Sequence, residues 1–110
     1  MLNQTGAAGT AKLEKRLEAA AKRFRVQKVE VDRESRAIGE AAGTDWALDI
    51  AHWGDLLRVV DLDPDGVAFS ELEDAIYDEG PKDGLYDDPA WLAGFVAAAI
   101  EIHGAVEERL

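Results

Sequence analysis

Residues 87–110 constrain the fold of this chain more than any other stretch. Asp87 or Asp88 can cap a helix and Pro89 suits its first turn, where an amide hydrogen has no intrahelical acceptor. Trp91, Phe95, Ala98, Ile102 and Val106 then recur at three- and four-residue spacing, and Leu92, Val96, Ile100 and His103 form a second stripe beside them. A helix apolar over so much of its circumference needs neighbours on several sides, so the earlier segments are expected to pack around it. Its small residues, Ala90, Gly94, Ala97, Ala98, Gly104 and Ala105, let another helix approach closely. The expected neighbour is the second or third helix of the same chain; the same helix of a second subunit, giving a homodimer, is the alternative.

The chain has 110 residues, 47% of them apolar, which is enough for one core. The expectation is a flexible tail over residues 1–9 and a single helical domain over 10–110. The absence of cysteine removes disulfides and thiol chemistry and suits a cytoplasmic setting. The uncharged apolar run over residues 90–100 is too short to span a bilayer, and the first ten residues have neither the basic start nor the apolar centre of a secretory leader.

Charge is unevenly distributed. Residues 1–36 hold nine basic and five acidic side chains, whereas residues 37–110 hold three basic and eighteen acidic, within a total of −11. Such a surface is expected to repel nucleic acid and anionic membranes and to steer a basic protein toward it; the competing reading is solubility, or adaptation to a salty or crowded cytoplasm.

Ahead of the last helix, Thr10 can cap a basic amphipathic helix with Leu13, Leu17, Ala20 and Phe24 on one stripe and Lys12, Lys15, Arg16, Lys22 and Arg23 around it. Without a basic face on the whole domain or side chains suited to reading bases, direct nucleic-acid binding is not expected. Residues 26–38 are ambiguous: Val26, Val29 and Val31 are β-branched, so a short β-hairpin back toward Ala37 and Ile38 competes with an extension of the first helix. Gly39 and Gly43 then read as a connector. A helix beginning at Thr44 and Asp45 places Trp46, Ile50, Trp53, Leu57 and Val60 on one buried face, with Asp45, Asp49, His52 and Asp55 opposite. It stops at residues 61–66, where Pro64 lacks an amide hydrogen and Gly66 tolerates a left-handed backbone. Ser70 and Glu73 make a capping box for a third helix whose Leu72, Ala75 and Ile76 face inward. The fold class is therefore mainly α, a compact bundle of three to four helices with a small hairpin after the first helix as an option.

Asp61, Asp63, Asp65 and Gly66 resemble the opening of an EF-hand calcium loop, in which alternating carboxylates converge on a hard cation. The resemblance covers about a dozen residues and implies a divalent-cation site completed by Glu71 or Glu73. It departs from that pattern at Leu72, which stands where the bidentate glutamate belongs, at Phe69, which replaces a polar position, and at Pro64. Against it, acidic residues at the start of the third helix are favourable on dipole grounds alone. A row of Asp45, Asp49 and His52, joined by His103 or Glu107, is a second candidate cation site. With two serines, two histidines and no phosphate-binding glycine loop, the chain does not read as an enzyme.

The expected function is thus a non-catalytic acidic protein that binds a basic protein, a nucleic-acid-binding one among the options, as inhibitor or regulator and needs no cofactor. In general character it is similar to small acidic helical inhibitors of bacterial or phage origin. The expected contact residues are Asp78, Glu79, Asp83, Asp87 and Asp88, with Tyr77 and Tyr86 as aromatic anchors. Calcium binding and structural assembly are the alternative functions.

Overall fold

A computed structural model describes the backbone of residues 7–76 and 79–110, with side chains from residue 10 onward. All regular structure among the described residues is helical: α1 (Ala7–Asp49), α2 (Trp53–Val60), α3 (Phe69–Ile76) and α4 (Pro89–Glu107). The chain divides into two units, Met1–Val31 and Asp32–Leu110.

In the first unit the described element is α1 alone. Residues 26–38 are helical, so the hairpin does not form. No proline or glycine interrupts the chain between Thr10 and Ile38, and valines weaken a helix by only about 0.5 kcal/mol each. The helix is already running at Ala7, which places Thr10 inside it rather than at its cap; residues 1–6 of the expected tail lie outside the described residues.

In the second unit, residues 32–49 of α1 continue through Gly39 and Gly43, which are interior helix positions and not a connector. Their role is close approach. A Cβ on Gly39 would collide with the Trp91 carbonyl of α4, one on Gly43 with the Phe95 carbonyl, and one on Gly94 of α4 with the Arg36 carbonyl of α1. Two backbones thus touch through glycines spaced four apart on one helix and a glycine on the other. α1 thus approaches α4 closely at Gly94, and α2, the expected second helix, packs on α4 as well.

α4 is the core helix. Asp88 caps it, with extended φ and ψ of −102° and 110° and a carboxylate that accepts from the Ala90 amide at 2.9 Å, and Pro89 follows in the first turn. Trp91, Leu92, Phe95, Val96 and Ala99 pack with Trp46, Leu56, Val59, Leu72, Ala75 and Ile76. The charged Glu101 does not end the helix, so α4 is long and apolar enough, by length and composition, to cross a membrane; a buried core helix has the same composition, and eight of its residues are buried.

The helix expected over residues 44–60 is broken. α1 ends at Asp49, where the Trp46 carbonyl accepts from both Ile50 and Ala51, and α2 restarts after His52, whose backbone is extended. The interruption rotates the second segment. Trp46 is fully buried, but Ile50, Trp53 and Leu57 are exposed, and α2 buries Leu56 and Val59 instead. α3 starts at Phe69, so Ser70 lies within it, while Leu72, Ala75 and Ile76 point inward as their spacing predicts.

The glycines provide a test with opposite signs. Alanine normally stabilises a helix interior by about 1 kcal/mol over glycine, but forcing a methyl into a packed contact costs about 1–3 kcal/mol. Gly39→Ala and Gly94→Ala are expected to lower the melting temperature, whereas Gly104→Ala, where a Cβ meets nothing within 4 Å, raises it.

Candidate functional site

A groove opens in the second unit between α3 and the loop 80–88. It is lined by Phe69, Glu73 and Ile76 from the helix and by Pro81, Lys82 and Tyr86 from the loop. The loop is held by its own backbone and by one phenol. The Pro81 carbonyl accepts from the Gly84 amide at 3.4 Å and from the Tyr86 hydroxyl at 2.5 Å, and the Asp88 amide donates to Leu85 at 2.9 Å. Gly84 lies against the rings of Tyr86 and Trp91, a space that a Cβ would occupy.

The walls continue inward as rings. Phe69 and Tyr86 have centroids 5.3 Å apart, Tyr86 meets Trp91 edge-on at 5.0 Å, Trp91 lies 5.4 Å from Phe95, and Phe95 lies 5.5 Å from Trp46. Each of these separations is within the range favoured by aromatic quadrupoles. Phe69 stays exposed and Tyr86 half-buried, so the outer end of the series faces the groove.

The electrostatics of the groove are read at Tyr86. Its phenol is pushed above its ordinary value of 10.0, first by burial and then by the negative charges of Asp83 and Glu73. Both carboxylates therefore bear on the hydroxyl at the groove wall. Lys82 is the cation among the lining side chains.

The expected contact residues have different fates. Asp83 and Asp87 are exposed, and Tyr86 forms the groove wall. Asp88 is used by the cap, and Glu79 is half-buried with its carboxylate on His52 Nδ1. Tyr77 and Asp78 lie outside the described residues. Phe69, Glu73 and Ile76 were not legible as groove residues. The one local signal was Phe69, a large aromatic side chain standing where a cation loop carries a polar one.

The loop 61–66 is built as a helix-stop turn. Asp61 is the C-cap of α2, the Asp63 carboxylate accepts from the Asp65 amide at 3.0 Å, and the Gly66 amide donates to the Asp63 carbonyl at 3.0 Å without a left-handed φ. Among the described residues, the group whose ligand atoms lie within 4.8 Å of one another is His52, Asp55 and Glu79; Asp61, Asp63, Asp65, Glu71 and Glu73 do not enter it. His52 sits 3.8 Å from Asp55 as well as on Glu79, and these contacts tie the start of α2 to the segment after α3.

The proposed row of Asp45, Asp49 and His52 is split, because the first two lie on α1 and His52 follows its end. His103 stacks on Trp53 at 5.3 Å, and its Nε2 is 3.9 Å from Glu107.

Compared with known proteins, the chain matches no family model, no curated relative and no solved structure.

The phenol gives a test of this geometry. Because the folded-state value of Tyr86 is raised, its contribution to stability is complete below the ordinary tyrosine value and is lost as pH rises through the shifted one. Ultraviolet titration is expected to show a late-ionising tyrosine that Tyr86→Phe removes. The same variant loses the bond to Pro81, at a cost of about 1 kcal/mol at neutral pH.

Proposed function

We propose that this chain is a non-catalytic regulator or inhibitor, a small helical bundle that binds a basic protein partner through the groove between α3 and the loop 80–88. The observation that supports this reading is an aromatic groove with carboxylates at its edge. Phe69 and Tyr86 offer ring faces and edges, Ile76 offers an apolar floor, and Glu73 and Asp83 set a negative potential at the Tyr86 hydroxyl. A lysine or arginine side chain suits such a site, its alkyl stem against the rings and its charged end toward the carboxylates. The excess of acidic residues over 37–110 adds long-range steering of a basic partner, which raises the rate of encounter more than it tightens the complex.

Peptides selected from a random library on the intact protein at low salt test this reading. Enrichment of arginine or lysine next to an apolar residue is expected, with binding that weakens as salt is added. In the double variant Glu73→Lys and Asp83→Lys, checked for folding by circular dichroism, affinity for those peptides is expected to fall at least tenfold, about 1.4 kcal/mol or more. Selection of acidic peptides, or unchanged binding by the folded double variant, overturns the assignment.

A further inference from the structure

The first unit holds an apolar stripe that no described residue of its own unit covers. Along α1, Leu17, Phe24 and Val31 recur every seven residues, and Leu13 and Ala20 fall between them at three- and four-residue spacing. Leu13, Leu17, Phe24 and Val31 are between 36 and 56% exposed. In heptad terms Leu17, Phe24 and Val31 occupy a, and Leu13, Ala20 and Gln27 occupy d, the seam of a two-helix coiled coil. A shallow groove along the stripe, lined by Leu13, Arg16, Leu17, Ala20 and Arg23, lies on the same surface.

Charge identifies the occupant. The positions flanking the seam are Glu14, Ala21 and Lys28 at e, and Arg16, Arg23 and Glu30 at g. In a parallel pair each g residue faces the e residue five positions later on the other chain, which sets Arg23 against Lys28 twice and creates no attractive pair. In an antiparallel pair a layers with d, e faces e and g faces g. Centred on residue 22, this arrangement puts Leu13 on Val31 and Ala20 on Phe24, large against small, and sets Glu14 against Lys28 and Arg16 against Glu30, each twice by symmetry. Gln27 opposite Leu17 is its polar layer, and Arg23 meeting its own copy is its one like-charge contact. A shift of one heptad toward the N-terminus would bring Arg16 onto Arg23, and the opposite shift would leave Leu13 and Leu17 without partners inside the arm.

We propose that the α1 arm, residues 13–31, is a self-recognition element that pairs antiparallel with the arm of a second copy of this chain about residue 22. An anionic lipid surface would also accept a basic amphipathic helix, but it gives no reason for Glu14 and Glu30 to sit beside the seam at the positions that match Lys28 and Arg16. This inference is independent of the groove between α3 and the loop 80–88.

Sedimentation equilibrium of the intact 110-residue chain is expected to show a dimer. Glu30→Arg, which turns both Arg16 contacts repulsive, is expected to weaken dimerisation at least tenfold, and Arg16→Glu combined with Glu30→Arg to restore it; a merely destabilised helix would not be rescued. The chain has no cysteine, so a single nitroxide at Lys12→Cys reports the orientation. Two labels separated by twenty helical residues lie about 30 Å apart along the axis in the antiparallel pair, and side by side in a parallel one. A wild-type monomer at the highest concentration sedimented, a short label distance, or failure of the double swap to rescue overturns the proposal. So does a monomer that instead sediments with vesicles of phosphatidylserine and phosphatidylcholine.

Discussion

The second unit depends on one contact, the backbone-to-backbone approach of α1 and α4. Gly39 and Gly43 bring α1 down onto the carbonyls of Trp91 and Phe95, and Gly94 returns the contact against Arg36. At that separation Trp46 and Phe95 reach each other, and Trp46, Trp91, Phe95 and Val96 are almost completely withdrawn from water. Burial of side chains of this size contributes about 1.5–3 kcal/mol each, so the glycines act by letting the large residues beside them pack. Wider spacing would leave voids at those rings, and voids in a close-packed interior are costly beyond the lost transfer energy. The position of α4 in turn fixes Asp88 at its cap, and the cap fixes where the loop 80–88 must end.

Charge follows a different logic in each unit. In the second, acidic side chains outnumber basic ones so heavily that individual pairs matter less than the summed field; those held internally include Asp88 in a cap, Asp63 in a turn, Glu40 on Arg36, Glu107 near His103, and Glu79 and Asp55 on His52. In the first, seven basic side chains share a helix with three acidic ones, with Arg23 also lying over the Phe24 ring at 4.8 Å. A field of one sign attracts any suitable cation, whereas charges of both signs beside an apolar seam favour one register. Under the two proposals made above, the second unit would use its charge for broad recognition and the α1 arm for position-specific recognition.

The sequence made some of this legible. The core role of α4 and its cap followed from Asp88, Pro89 and the spacing from Trp91 onward, and the inward face of α3 followed from Leu72, Ala75 and Ile76. Other features were hidden for physical reasons. Glycine at residues 39 and 43 has the same local meaning in a connector as in a tight helix contact, and only the partner backbone distinguishes them. The break after Asp49 has no proline or glycine at residues 50–52 to announce it; tertiary packing rotates α2 so that Leu56 and Val59 enter the core, against the periodicity that favoured Trp53 and Leu57. The groove is half legible, since Tyr86 and Asp83 stand out in the sequence as contact residues, while Glu73 and Phe69 fall within the stretch that resembles a cation loop. Aspartates at alternate positions suggest convergence, yet residues 61–66 use theirs to close a turn.

The ring series from Trp46 to Phe69 has a consequence for how this protein can vary. Its inner members are core and its outer members are the wall of the groove, with no polar layer between them. A change in the size of Trp91 would be felt at Tyr86, and an altered groove would press back on the packing of Phe95. The rings that hold the core and those that wall the groove are therefore one connected series, and a descendant of this chain that resized an inner ring would reshape the aromatic wall with it.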